Sequence, residues 1–499
     1  MRRFTPALLA WALVTGLSTA PYVRAALATP PGHVFVGTFY FVTDVYNYFG
    51  YMQQAEDGAF LFRNKLTLEP HTPALVNLEW WAVGRLSDLL GGRFVLAWRL
   101  LALAASLPFV LLVDACLRRA GLPSTHRLPG LMLVLLGGGF GGLFYTLRWP
   151  PGLDVLDLST GLFPFIELLA NPHFVCGTTL LMGALLLLTR GTRRATAAGV
   201  ALAGVAGLVR PYDMVMVVAI FGLSTLLTET PRRALWRLLP LLGLLPVVAY
   251  VGWVFYAATA YRVFAAEGYT PPPLRQLAYA AGPALLLAAL GWSGPPRGPE
   301  ARRMRVLLLC WAAAALLIGV LRPVSFSLQF LVGIGVPLLG LAAVGLSRYP
   351  PWLTLAATLC LCSSALVALR VVSGDQPRWF VPAGRVEAAR ALRTACRPGE
   401  IAMAPTDVGV YALASTPCSP YSSHEVMRDA ALHREEAAAF YAEWGPAQRS
   451  AFLDAHQVAA VLIPSGEGPE QFLGADTPFR AVGGAPAGSP FTACRRPLP

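Results

Sequence analysis

Residues 37–73 read GTFYFVTDVYNYFGYMQQAEDGAFLFRNKLTLEPHTP, and they interrupt a chain that is otherwise mostly apolar. The segment follows a first apolar run and carries several ionisable side chains, namely Asp44, Glu56, Asp57, Lys65, Glu69 and His71. Lys65 is the only lysine of the chain. Because ionisable groups are costly to place near hydrocarbon, this cluster indicates a functional segment just outside a membrane span.

The composition around this segment is that of a membrane protein. Of the 499 residues, 56% are hydrophobic and 13% are charged, and the mean hydropathy is +0.56. Apolar runs near the ~20 residues that cross a bilayer recur along the chain. They are residues 6–23, 100–116, 130–147, 174–189, 195–209, 214–227, 238–258, 277–292, 306–321, 326–346 and 352–372. The sequence therefore predicts an α-helical polytopic protein with about eleven transmembrane helices.

The net charge of +12 comes from arginines that cluster in alternate connectors between these runs. This alternation follows the positive-inside rule for cytoplasmic loops, so we expect no nucleic-acid partner. Counted from a cytoplasmic N-terminus behind Arg2 and Arg3, the loops 24–99 and 148–173 and the C-terminus lie outside. The expected location is a bacterial cytoplasmic (inner) membrane, with membrane lipids as the surroundings. The glycine-rich run 137–142 falls within a span and predicts close helix packing.

The character of the chain changes near residue 373, where charge rises and helical and extended patterns alternate. Helices are predicted at 385–396, 426–444 and 446–456, and strands at 400–404 and 458–464. Residues 1–372 are thus the predicted transmembrane domain, and residues 373–499 a small extracytoplasmic (periplasmic) α/β domain. One disulfide is expected among Cys396, Cys418 and Cys494, without the sequence deciding the pair.

Two helices are predicted in the first outer loop. Thr43 or Asp44 is expected to cap a helix that runs to about Ala55 and ends at Gly58. A second helix is expected at residues 74–90. The tyrosines and phenylalanine of the first helix predict that it lies in the membrane interface.

Three short motifs carry a family resemblance. They are D-V-Y-N-Y at residues 44–48, Q-A-E-D-G at residues 54–58, and N-P-H-F at residues 171–174 at the mouth of a span. With the predicted spans and outer C-terminal domain, this arrangement resembles the GT-C superfamily of membrane glycosyltransferases. The resemblance implies transfer of a sugar from a polyprenyl-phosphate carrier at the outer face, with an acidic residue in the first outer loop. The acceptor would be a glycan, a lipid or a protein.

The paired D-x-D acids of some GT-C members are absent here, because Tyr46 stands two positions after Asp44. Dependence on a divalent metal, Mg²⁺ or Mn²⁺, therefore stays open, and no residue is assigned as a metal ligand. Glu69 and His71 form only a weak metal-binding pattern. Asp154 and Asp157 are expected to be solvated loop acids.

The proposed chemistry needs a base and positive charge. An inverting transfer requires a base for the acceptor hydroxyl, and Asp44 is the candidate. Cationic side chains would stabilise the leaving lipid phosphate. The predicted substrate-binding residues are Tyr48, Lys65, Arg148, His173, Arg210 and Arg322.

Each candidate also has a structural interpretation. Asp44 could only cap its helix, and Arg210 and Arg322 could extend from span ends to lipid headgroups. His173 could satisfy backbone groups at a helix start, and the aromatic residues could form an interfacial belt.

Two other function classes are compatible with the sequence: a non-enzymatic lipid or polysaccharide transporter or flippase, and an inactive GT-C-like scaffold. Transporters tend to place ionisable residues and broken helices at the bilayer midplane. Here the charges gather at the predicted outer ends of the spans, which favours an outward-facing enzyme. The sequence specifies neither the sugar nor the oligomeric state.

Overall fold

The structure is a computed structural model that describes residues 4–148, 156–159, 161–262, 273–293, 296, 298–321, 326–374, 379–483 and 489–497. The chain folds into two compact units. The helical unit comprises Met1–Arg24, Trp98–Val251 and Tyr269–Asp375, and the mixed unit comprises Ala25–Ala97, Gly252–Gly268 and Gln376–Pro499. Most of the predicted first outer loop therefore belongs to the same unit as the C-terminal residues.

The described α-helices are, in chain order, α1 (Thr5–Leu27), α2 (Val42–Glu56), α3 (Leu78–Leu89), α4 (Phe94–Arg119), α5 (Arg127–Leu136), α6 (Gly141–Leu147), α7 (Leu156–Ser159), α8 (Pro164–Ala170), α9 (Pro172–Leu188), α10 (Arg193–Val209), α11 (Pro211–Thr228), α12 (Pro231–Leu238), α13 (Leu245–Gly252), α14 (Leu274–Trp292), α15 (Pro299–Leu321), α16 (Gly335–Leu346), α17 (Pro351–Leu361), α18 (Ser363–Val372), α19 (Ala383–Ala395), α20 (Thr406–Ser415), α21 (Ala430–Ala442), α22 (Pro446–Ala455) and α23 (Pro469–Leu473). The strands are β1 (His33–Phe35), β2 (Phe380–Pro382), β3 (Ile401–Met403), β4 (Ser419–Pro420), β5 (Val458–Pro464), β6 (Arg480–Ala481) and β7 (Phe491–Arg495).

Among the described residues, seven helical stretches are long and apolar enough to cross a membrane, and two of them, Pro231–Ala257 and Ser327–Leu346, join consecutive helical segments. If each of two bent helix pairs is counted as one span, the number is nine. One pair joins Ser124–Leu136 to Gly141–Leu147 at 56°, and the other joins Pro351–Leu361 to Ser363–Val372 at 48°. The predicted apolar runs coincide with helical stretches, some of them broken, and α9 and α10, at 17 residues each, are shorter than the seven candidate spans. The prediction of an α-helical polytopic membrane protein is confirmed, while its helix count is approximate.

The break in the first bent helix pair contacts the break in the second. The N–H of Gly138 donates to the carbonyl of Leu361 at 2.8 Å, and the N–H of Gly142 donates to Ser364 Oγ at 3.0 Å. A Cβ atom added at Gly139 or Gly142 would overlap the backbone of a neighbouring helix. The glycines of this run thus permit close helix packing, as predicted.

The carboxylate of Asp157 is hydrogen-bonded to both helix breaks. Its Oδ2 accepts hydrogen bonds from the N–H groups of Gly139 and Gly141, each at 3.2 Å, and from the hydroxyl of Ser364. The expectation that Asp157 is a solvated loop acid is wrong, because backbone groups released by a helix break need a buried acceptor. Asp154 lies outside the described residues.

A five-stranded sheet forms the centre of the C-terminal part of the mixed unit, in the order β4-β3-β5-β7-β6. Strand β3 is parallel to β4 and β5, whereas β7 is antiparallel to β5 and β6. A buried apolar core contains Met403, Tyr421, Phe440, Val461 and Phe472. A second, two-stranded sheet pairs β1 with β2, so that part of the predicted first outer loop is bonded to residues that follow the last predicted span.

The secondary structure predicted after residue 373 is confirmed. Helices α19, α21 and α22 and strands β3 and β5 correspond to the predicted elements. Helix α21 begins at Ala430, later than predicted, because Asp429 before it has a left-handed backbone with φ 54°. Helix α20 and strand β7 were not predicted. The disulfide joins Cys396 to Cys418, with a Cα–Cα distance of 5.7 Å, and Cys494 is a buried free thiol.

The first helix of the outer segment differs from its prediction. Helix α2 begins at Val42 after Phe41, whose φ is 52°, so neither Thr43 nor Asp44 is its cap. Its aromatic side chains are mostly buried: Phe49 is 2% exposed, and Tyr46 packs edge-on against Tyr411 of α20 at 4.9 Å. The predicted interfacial helix is therefore wrong, because α20 and α3 cover the surface that would otherwise face lipid.

We expect Asp157→Ala to lower the free energy of unfolding by roughly 2–5 kcal/mol, because three buried donors lose their acceptor. Thermal unfolding of the detergent-solubilised protein, followed by tryptophan fluorescence, measures the loss. Ser364→Ala, which removes one of these donors, should have a smaller effect, and Asp476→Ala, at an exposed carboxylate, should have almost none. Equal melting temperatures for Asp157→Ala and wild type would contradict this role.

Candidate active site

Helix α2 places Asp44 in its first turn, with 23% of the side chain exposed. The Oδ1 atom of Asp44 lies 3.1 Å from Nε2 of His424, a residue of the segment that follows β4. The two residues are 380 positions apart in the sequence. Both belong to the mixed unit, so its fold brings the predicted base of the first outer loop to a C-terminal histidine.

The tautomer of His424 follows from its second ring nitrogen. The N–H of Val426 donates to Nδ1 at 3.1 Å, and a backbone N–H can only donate, so Nδ1 is an acceptor. In the neutral ring the proton is therefore on Nε2, which donates to Asp44. The Glu425 carboxylate, 3.6 Å from Nδ1, is too distant for a hydrogen bond.

The two members of this pair differ in their access to a ligand. The His424 side chain is only 1% exposed, whereas the Asp44 carboxylate reaches the surface. A partly exposed carboxylate can take a proton from a hydroxyl group that binds beside it. Sequence analysis identified Asp44 but missed His424, since no local pattern links two side chains so far apart in the chain.

Lys65 is buried, with 3% exposure, and all its hydrogen bonds are internal to the mixed unit. Its Nζ donates to Gln53 Oε1 at 2.8 Å, to the carbonyl of Leu413 at 2.9 Å and to the carbonyl of Thr416. These three acceptors match the three N–H groups of an ammonium. This placement disfavours the predicted phosphate contact of Lys65 and favours a role in joining the first outer segment to the end of α20.

The glutamine of the Q-A-E-D-G motif also has a structural role. Gln54 Oε1 accepts from the N–H of Arg63 at 2.8 Å, and its Nε2 donates to the Arg63 carbonyl at 3.2 Å. The side chain of Gln54 thus bonds both backbone groups of one residue, as a neighbouring strand would. It holds the chain that leads from α2 to Lys65.

In the helical unit, Arg210 lies between α10 and α11 with 2% exposure. Its Nη2 donates to the carbonyl and to Oε1 of Gln329, both at 3.2 Å, and its Nη1 lies 3.3 Å from Asp213 Oδ2. The ring of Phe174 is 4.9 Å from its guanidinium carbon. The alternative that Arg210 extends to lipid headgroups is wrong, because protein groups enclose its charge.

The remaining predicted substrate residues are not brought together within one unit. His173 is buried at the start of α9, and Arg148 is exposed at the end of α6, both in the helical unit. Tyr48, in the mixed unit, stacks on Trp80 with ring centroids 4.5 Å apart. Arg322 lies outside the described residues. The substrate contacts of these residues stay predictions.

No group of three or more histidine, cysteine, aspartate or glutamate side chains suited to a metal ion occurs in the described part of the chain. Glu69 accepts from Arg428 at 3.1 Å, and His71 Nε2 accepts from the N–H of Asn64 at 3.1 Å. Within the mixed unit, Glu69 thus forms an ion pair, and His71 bonds the backbone of a neighbouring turn.

Comparison with known proteins shows similarity at the level of structure. No family model and no curated protein sequence matches the chain. The arabinofuranosyltransferase AftD from Mycobacteria superposes with a TM-score of 0.58 at 14% identity, over 100% of this chain and 40% of AftD. This chain therefore spans about two fifths of the length of AftD.

For two further solved structures, the match with this chain covers a larger share of the neighbour. The oligosaccharyltransferase AglB from Archaeoglobus fulgidus, in complex with an inhibitory peptide and a dolichol-phosphate, gives a TM-score of 0.52 at 10% identity, over 92% of this chain and 69% of AglB. ArnT from Cupriavidus metallidurans, bound to undecaprenyl phosphate, gives 0.50 at 14% identity, over 98% of this chain and 96% of ArnT. At these identities the similarity concerns the fold.

Burial lowers the pKa of Lys65 to about 7, whereas a lysine of the unfolded chain titrates near ~10.4. Between these values the unfolded chain binds more protons, so the free energy of unfolding should rise with pH. Compared with Lys65→Met, the wild type should become relatively more stable from pH 7 to pH 10, as measured by thermal unfolding. Since Lys65 is the only lysine, no other lysine contributes to this difference. A difference that is independent of pH would contradict the burial of the amine.

Proposed function

From the GT-C fold of this chain, we propose that the protein is a membrane glycosyltransferase that moves a sugar from a polyprenyl-phosphate carrier to a hydroxyl acceptor. Two proteins of similar fold were solved with a polyprenyl phosphate, dolichol-phosphate on AglB and undecaprenyl phosphate on ArnT, which supports this class of donor. The acceptor is a glycan, a lipid or a protein. We place the reaction at the outer face of a bacterial cytoplasmic membrane, with the C-terminal residues extracytoplasmic.

The observation that carries the proposal is the Asp44 carboxylate, which is partly exposed and held by a hydrogen bond from His424. Asp44 takes the proton of the acceptor hydroxyl as its oxygen forms a bond to the anomeric carbon of the sugar. The bond between that carbon and the phosphate oxygen breaks, and the polyprenyl phosphate leaves with the bonding electron pair. A single displacement of this kind inverts the anomeric configuration.

One feature favours the transporter alternative. Two helix breaks meet in the helical unit around the buried carboxylate of Asp157, and transporters use broken helices beside ionisable groups. The hydrogen bonds of Asp157 explain its burial structurally, so we rank transport second. A transporter would move polyprenyl-phosphate sugars across sealed vesicles without releasing polyprenyl phosphate, whereas the proposed enzyme releases it.

We expect Asp44→Asn to lower sugar transfer at least ~100-fold, because the amide cannot take the proton of the acceptor. Its Oδ1 can still accept from His424, so the helix and the pair should persist. The assay uses purified protein, a panel of radiolabelled undecaprenyl-phosphate hexoses and pentoses, and native membrane extract as the acceptor source, with and without EDTA to measure metal dependence.

Asp88→Asn is the matched control, since Asp88 is an exposed carboxylate on α3 that pairs with Arg85. It should transfer sugar at the wild-type rate. A near-normal rate for Asp44→Asn at matched expression and melting temperature would show that Asp44 is not the base. If the wild type transferred sugar from none of the donors, the proposal that the protein is a glycosyltransferase would be refuted.

A further inference from the structure

We propose that His424 is a positioning residue that fixes the orientation of the Asp44 carboxylate for proton transfer. This role rests on the proposed glycosyl transfer and concerns a residue outside the first outer loop. The geometry that supports it is the 3.1 Å hydrogen bond between His424 Nε2 and Asp44 Oδ1. This hydrogen bond fixes the direction of one carboxylate oxygen and restricts rotation about the side-chain torsions of Asp44.

His424 itself is unsuited to take the substrate proton. Its side chain is only 1% exposed, whereas 23% of the Asp44 side chain is exposed. Nδ1 accepts from Val426, and Nε2 carries the proton that is donated to Asp44. Neither ring nitrogen is left to accept a proton from a hydroxyl group. The chemistry therefore assigns the base to Asp44 and the orientation of that base to His424.

The segment that carries His424 is itself held in place. The N–H of Tyr421 donates to the carbonyl of Ala402 at 2.8 Å, which attaches the segment to strand β3. The hydroxyls of Thr406 and Ser422 are 3.0 Å apart and connect it to the first residue of α20. His424 follows two residues later, so its imidazole projects from an anchored backbone.

A second contact joins this segment to the start of α2. Thr43 Oγ1 donates to Glu425 Oε1 at 3.3 Å, directly beside the Asp44–His424 hydrogen bond. Adjacent residues of α2 are thus bonded to adjacent residues of the C-terminal segment. Two neighbouring hydrogen bonds restrict the relative movement of these segments more than one does. Because a misplacement of about 1 Å can reduce turnover ~100-fold, this restriction matters for the base.

The test compares two substitutions of His424 in the purified protein. His424→Gln retains an N–H donor at nearly the position of Nε2, whereas His424→Met has a similar length and no donor. With the undecaprenyl-phosphate sugar panel, His424→Met should lower kcat about 10- to 100-fold and change the KM for the donor less than about twofold. His424→Gln should recover most of the lost kcat. His33→Gln, the same substitution at an exposed histidine, should match the wild type.

The outcomes distinguish this inference from the proposed function. If Asp44→Asn loses transfer while His424→Met retains it, the positioning role is overturned and the glycosyltransferase stands. Equal kcat values for His424→Gln and His424→Met would also overturn it, since packing alone would then explain the loss. If the wild type transfers no sugar, both proposals fail. Should His424→Met not fold, His424→Asn, whose amide is one methylene shorter, replaces it, and equal kcat values for Asn and Gln overturn the role.

Discussion

The mixed unit depends on the hydrogen bonds of one buried lysine side chain. Lys65 of the first outer segment donates to the carbonyls of Leu413 and Thr416, at the C-terminal end of α20, where a helix favours positive charge. A few residues away, a Cβ atom on Gly50 of α2 would lie 2.6 Å from the Leu413 carbonyl, so the helices approach as closely as glycine allows. The positions of α2 and α20 fix where Asp44 and the His424 segment meet.

A chain with few charged residues uses several of them inside the protein. Asp157, Arg210 and Lys65 all lie in segments that look like solvated loops in the sequence, yet each is buried with hydrogen-bond partners. Burying a charge without partners would cost several kcal/mol, so the partners explain why these groups are tolerated. Exposure rather than charge separates Asp44 from them, because its carboxylate remains partly accessible to a ligand.

Local patterns predicted much of the fold. Apolar runs located the membrane-spanning helices, and the alternation of helical and extended patterns located α19, α21, α22, β3 and β5. The same patterns failed for α2, because an amphipathic helix has an apolar face whether lipid or protein covers it. Asp44 was found from its motif, but its pairing with His424 depends on tertiary structure across 380 residues, which no periodicity encodes.

The central claim is that His424 donates its Nε2–H to Asp44, and nitrogen NMR tests it most directly. Solid-state spectra of protein labelled with ¹⁵N-histidine, with His424 assigned by the signals missing in His424→Gln, report which ring nitrogen carries the proton. If His424 donates to Asp44, Nε2 is protonated, Nδ1 is bare, and the Nε2 signal shifts in Asp44→Asn. A ring protonated on Nδ1 alone, or an Nε2 signal unchanged by Asp44→Asn, would contradict it.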